Sequence, residues 1–194
     1  LVEVAEIRRV FGMAMTMAGV AAGGFAVARF GMARALVMGA AFATASSLGF
    51  AWLAVQGRDV PALVVTTGLE HAAAGFAGTC LIAYMSSLIS PRFAATQYAL
   101  LSSIFSLPGR LLASQSGLIV EQAARTAGRS GLLWPLGALF AGLPAESYAT
   151  ATSPAALGAG YLVFFLYSAA LGVTAVALAA SVARFGEAFA TEQE

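Results

Sequence analysis

Charge-free runs of membrane length alternate along this chain with short polar breaks. Val10 to Ala28 carries no charged residue, and as a helix it would reach about 28 Å, one hydrocarbon core. Gly12, Gly19, Gly23 and Gly24 lie in it, and Gly19 with Gly23 forms a small-xxx-small pair that permits close helix contact. A basic turn, Arg29 to Arg34, leads to a second uncharged run, Ala35 to Gln56. Gly57-Arg58-Asp59 closes it, and Pro61 suits the first turn of the helix that follows.

Two further runs carry charge where charge is expensive. Pro61 to Leu88 holds Glu70 and His71, and the run from Ala95 to Val120 holds Arg110. An ionisable residue at the centre of a membrane helix costs about 2.5–3.5 kcal/mol on insertion scales, so each one marks a candidate functional site. Ser103, Ser106, Arg110 and Ser114 recur at helical spacing and share one face. That face is expected to look into a bundle interior or cavity. The two runs are antiparallel neighbours joined at Arg92. Glu70 lies 22 residues before it and Arg110 18 after it. The depth mismatch is about 5–6 Å, which long side chains can cover. His71 is about 100° round the helix from Glu70 and is expected to be packed or turned to the interface.

The segment 122–154 is a long connection rich in Gly, Ser, Ala and Thr. Its apolar stretch Leu132 to Leu143 is too short to span and is interrupted by Pro135, so an interfacial or re-entrant segment is expected. Ala155 to Ala183 is the last apolar run, followed by a polar tail. The opening residues 1–9 fit a short amphipathic helix. The expected architecture is all-α and integral to the membrane, with five spans at about 10–28, 35–56, 61–88, 95–120 and 155–183.

Composition agrees with this pattern. The chain is 60% hydrophobic and 10% charged, with a mean hydropathy of +0.85, whereas soluble domains carry about 25% charged residues. Net charge is +1, so nothing argues for nucleic acid. The single Cys80 excludes an internal disulfide and any multi-cysteine metal site. No metal or cofactor is expected, and no nucleophile–base pair suggests an enzyme. With alternating spans, one side receives Arg29, Arg34, Arg92 and Arg184, and the other Arg8, Arg9, Arg58, Arg125 and Arg129. Four against five leaves orientation undecided by charge alone.

The string Arg92-Phe93-Ala94-Ala95-Thr96-Gln97-Tyr98-Ala99-Leu100-Leu101-Ser102-Ser103 resembles the AmpG-type muropeptide permeases of the major facilitator superfamily. The preceding run, with Glu70, Gly75, Gly78, Thr79 and Ala83-Tyr84-Met85-Ser86, is similar to that family's tenth helix, and Arg110 falls where its eleventh carries an Arg. Gly24, Arg29, Gly31 and Arg34 fit the superfamily's cytoplasmic loop signature, while Ala28 and Met32 replace its acidic residue and one basic residue.

The resemblance implies a truncated C-terminal half, helices eight to twelve of twelve, in the bacterial inner membrane. Arg29, Arg34, Arg92 and Arg184 would be cytoplasmic and 122–154 periplasmic. The parent would import anhydro-muropeptides with protons for cell-wall recycling. Its partners would be membrane lipid, a muropeptide-like substrate and the missing N-terminal half of the same polypeptide. Glu70 and His71 are the candidates for proton coupling. Arg110, with Ser103, Ser106 and Ser114, is the candidate for substrate binding. The competing readings are a major facilitator for another amphipathic or anionic solute, and a stand-alone five-helix structural membrane protein.

Overall fold

The computed structural model describes residues 10–56, 59–114, 116–127 and 154–191. The expected segments 1–9 and 132–143 lie outside them. Among the described residues every regular element is helical. The helices are α1 (Gly12–Phe30), α2 (Met32–Gln56), α3 (Val60–Ser87), α4 (Ala94–Ser114), α5 (Ser116–Ala127) and α6 (Pro154–Thr191).

Local chemistry sets the boundaries. Gly31 alone separates α1 from α2, at φ 83° and ψ 161°, a backbone region almost confined to glycine. Its N–H donates to the Val27 carbonyl at 3.1 Å, and its carbonyl accepts from the Ala35 N–H at 3.0 Å. Asp59 caps α3: its carboxylate accepts from the Ala62 N–H at 3.2 Å, with Pro61 in the first turn. After α3 the chain passes through a 3₁₀ turn, Pro91–Phe93. The Gln97 side-chain carbonyl accepts from the Ser90 N–H across this turn at 2.9 Å.

The fourth apolar run is helical on both sides of residue 115, in α4 and α5, and α5 carries helix on to Ala127, into what sequence assigns to the long connection. The last helix likewise continues past Ala183 to Thr191. Three helical segments are long and apolar enough to cross a membrane: Gly12–Phe30, Met32–Val55 and Gly158–Arg184. At 28 residues α3 has the length, but Glu70, His71 and its Gly and Thr positions dilute its apolar character. The chain is therefore an all-α membrane protein.

Helix order in space differs from order in sequence. The closest partner of α1 is α3, which also packs along α2. The opposite side of α2 is covered by α6, and α5 lies on α6. Contact between α1 and α2 is much slighter, and α4 meets α3 only sparsely. Among the described residues most of the buried apolar side chains are alanines, including Ala26, Ala35, Ala51, Ala73 and Ala159, with Phe76, Cys80, Met85 and Leu162 as the larger exceptions. Large apolar residues such as Met17, Phe25 and Leu178 point outward. A soluble protein buries such groups, whereas lipid is as apolar as they are and rewards close backbone packing instead.

Glycines make that packing possible. A methyl group on Gly19 would overlap the Ala72 carbonyl, and one on Gly75 the Thr16 carbonyl. On Gly23 it would lie 2.8 Å from the Phe76 carbonyl oxygen. Aromatic contacts fill the wider gaps: Phe42 meets Phe76 edge-on at 6.0 Å, and Phe50 stacks on Phe165 at 5.3 Å. Most hydroxyls turn back to their own helix, as Thr44 to Ala40, Thr79 to Gly75 and Ser168 to Phe164, which hides them from lipid.

Gly19→Ala is expected to destabilise the chain by about 1–3 kcal/mol, because the helices must separate to admit the methyl group. Gly24→Ala is the control. Nothing lies within 4 Å of that site, and helix propensity alone should make the change neutral or stabilising by up to about 1 kcal/mol. Denaturant unfolding in micelles measures both, and equal effects would refute the close-contact account. By the same measurement, Gly31→Ala should cost about 1–3 kcal/mol from its backbone conformation.

Candidate functional site

The site is built where α1 crosses α3. Gly12, Thr16, Gly19 and Gly23 follow one another at helical spacing on α1, and Gly68, Ala72, Gly75 and Thr79 do so on α3. Glu70 and His71 sit within this contact. Gly12 leaves room for the imidazole: a methyl there would lie 2.7 Å from His71 Nε2. Thr16 Oγ1 donates to the Gly12 carbonyl at 2.9 Å and lies 3.3 Å from His71 Nδ1. The other ring nitrogen, Nε2, is 3.9 Å from Glu70 Oε2.

These last two atoms stand apart from the other polar groups. Among the described residues, Glu70 Oε2 and His71 Nε2 are the buried side-chain polar atoms with no hydrogen-bond partner. The two side chains keep 37% and 25% of their surface exposed, so each has a buried end and an open flank. A buried polar atom without a partner is costly, and in a helix flanked by apolar neighbours it makes the position a candidate functional site. The sequence places Glu70 and His71 100° apart on the helix, yet their side chains bend toward each other. His71 is packed, as expected, but packed with Glu70 and against α1.

Arg110 is elsewhere. It is exposed on α4, as are Ser103, Ser106 and Ser114. Ser106 donates to the Ser103 carbonyl at 3.2 Å and Ser114 to the Leu111 carbonyl at 2.7 Å. No ion pair joins Glu70 to Arg110. Within this chain the serine and arginine stripe therefore does not close onto α3. Gly24 and Arg29 lie near the end of α1, and Gly31 and Arg34 begin the turn into α2. Arg29 sits 5.7 Å over the Phe30 ring. An apolar cavity of about 610 Å³ opens between α2, α3, α4 and α6, bounded by Leu36, Ala77, Leu81, Phe105 and Leu178. It includes none of the candidate charged residues.

One contributor escapes a reading based on charge: Thr16, a hydroxyl in an uncharged run. The signal for Thr16 was present in the 12–16–19–23 spacing, which puts it on the same face as the glycines.

The chain has relatives among bacterial transporters. It is 31% identical over 134 residues to the transporter AmpG 3 of Rickettsia typhi, a match covering 69% of this chain and 30% of that protein. It is 34% identical over 119 residues to AmpG 3 of Rickettsia prowazekii, covering 61% of this chain and 28% of the relative. It is 31% identical over 119 residues to AmpG 4 of Rickettsia felis, covering 61% and 29%. All three are named as transporters and none as an enzyme. No family profile matches the chain, and no solved structure does. The matched region spans less than a third of the length of these relatives. Over the matched region, the chain is similar in sequence to part of the AmpG-type transporters.

Proposed function

We propose that this chain forms part of the C-terminal half of a proton-coupled secondary transporter of the major facilitator type. The observation that carries this reading is the orphaned Glu70–His71 pair on α3 in a protein whose relatives are named transporters. A carboxylate and an imidazole facing each other in a low-dielectric interior can exchange a proton with either side of the membrane as helices rearrange. The share of the relatives that the chain spans supports a longer parent with a second half.

In this reading α1, α2, α3, the α4–α5 segment and α6 are helices eight to twelve. The basic turn around Arg29, Gly31 and Arg34 faces the cytoplasm. The exposed face of α4 looks toward the N-terminal half, across a midplane substrate cavity. Arg110 meets an acidic group of the solute there through paired N–H donors, and Ser103, Ser106 and Ser114 line the same wall. The family resemblance points to anhydro-muropeptides as the solute, taken up across the bacterial inner membrane for cell-wall recycling.

In the full-length transporter, Glu70→Gln should abolish uptake of labelled anhydro-muropeptide driven by an imposed proton gradient, while exchange of solute at equal pH continues. Arg110→Ala should reduce both by about tenfold or more, the loss of one charge-assisted contact. Membrane expression should stay normal for both variants. A wild-type uptake rate in either would remove that residue from the mechanism.

A further inference from the structure

We infer that Thr16 is a positioning residue that locks His71 in the Nδ1–H tautomer, so that His71 Nε2 and Glu70 Oε2 hold one proton between them under the control of α1. This inference rests on the proton-coupling reading for its purpose, but its geometry stands independently.

The argument begins with the single proton of the Thr16 hydroxyl. That proton is given to the Gly12 carbonyl at 2.9 Å. Thr16 Oγ1 therefore has only lone pairs to offer His71 Nδ1, which is 3.3 Å away. The contact is favourable when Nδ1 carries hydrogen and donates. A neutral imidazole protonated at Nδ1 is bare at Nε2. The bare nitrogen faces Glu70 Oε2 at 3.9 Å, and neither atom has another partner.

Two lone-pair atoms facing each other, one of them on a carboxylate, repel, and the repulsion is screened least at their buried ends. One added proton reverses the sign of the contact. A proton on Glu70 as a carboxylic acid, or on His71 as an imidazolium, becomes a hydrogen bond between them once a small side-chain rotation closes the 3.9 Å gap. Both forms have the same proton count and no net charge.

The surrounding helices leave it to itself. Among the described residues, α1 has no ionisable side chain but Arg29, and Arg29 lies thirteen residues from Thr16, about 20 Å along the helix. The only charged side chain on α2 is Arg34, in its first turn, and α3 itself carries no other acid or base than Glu70, His71, Cys80 and Tyr84. Cys80 points elsewhere, toward the Gly23 carbonyl. The external determinant of the proton's position is therefore Thr16, and it belongs to a different helix from the pair. A shift of α1 against α3 withdraws Thr16, frees the ring to change tautomer and lets Nε2 carry its own hydrogen away from Glu70. Movement of α1 and release of the proton are one event.

His71 is the only histidine in the chain, so nitrogen NMR of histidine-labelled protein in micelles reads its tautomer without assignment. At neutral pH the wild type should show Nδ1 protonated and Nε2 engaged in a hydrogen bond. Thr16→Ser should keep that signature. Thr16→Val, nearly the same shape without the acceptor, should invert it to mainly Nε2–H, and Glu70→Gln should remove the Nε2 hydrogen-bond shift. An Nε2–H ring in the wild type overturns the inference, as does an unchanged ring in Thr16→Val. If Thr16→Val does not fold, the wild-type and Glu70→Gln spectra decide. A wild-type spectrum as expected, combined with normal gradient-driven uptake by Glu70→Gln in the full-length transporter, would leave the dyad intact and refute only the coupling role.

Discussion

Everything in this chain depends on how closely α1 approaches α3. Lipid gives two apolar helices no reason to hide from it, so their association rests on dispersion contacts and on polar groups that must find partners in the protein. Both grow as backbones come together. Gly19 and Gly75 let the backbones meet where no side chain would fit. The result is a core of alanine and glycine with a coat of Met, Phe, Leu and Val, the reverse of the distribution in a water-soluble domain.

The same closeness creates the site. Gly12 makes space for an imidazole, and Thr16, one turn later, supplies its acceptor. A looser contact would admit water, which would satisfy Glu70 and His71 and remove their dependence on each other. Tight packing instead leaves the buried ends of the two side chains, Glu70 Oε2 and His71 Nε2, without a hydrogen-bond partner. Structural and chemical demands therefore fall on one stripe of residues. The other hydroxyls near the core, such as Thr44 and Thr79, are occupied by their own helices and contribute no chemistry.

Much of this was legible in the sequence. The charge-free runs gave the helices, the basic turn Arg29 to Arg34 and Pro61 gave their breaks, and the cost of charge in lipid singled out Glu70, His71 and Arg110. Two things were not legible, each for a physical reason. Helical angle separates Glu70 from His71 by 100°, but side-chain torsions can close that gap, and periodicity is blind to torsions. Depth counting brings Glu70 and Arg110 to similar levels without saying which way either helix faces. In the structure α4 stands almost clear of α3, so equal depth does not bring their charges together.

The link at Gly31 has a consequence for how the molecule is made. α1 and α2 are joined by one residue yet touch each other only slightly, and both pack against α3, which leaves the ribosome after them. During synthesis these two helices precede the partner that joins them, with Gly19, Gly23 and Gly39 not yet covered by α3. When α3 is inserted, it has to enter between two helices already in the bilayer rather than dock on a finished pair. Glu70 and His71, awkward for lipid, thereby acquire a protein lined slot at the moment they reach the membrane. The order of translation and the order of packing are different, and the single glycine hinge is what allows the second to follow from the first.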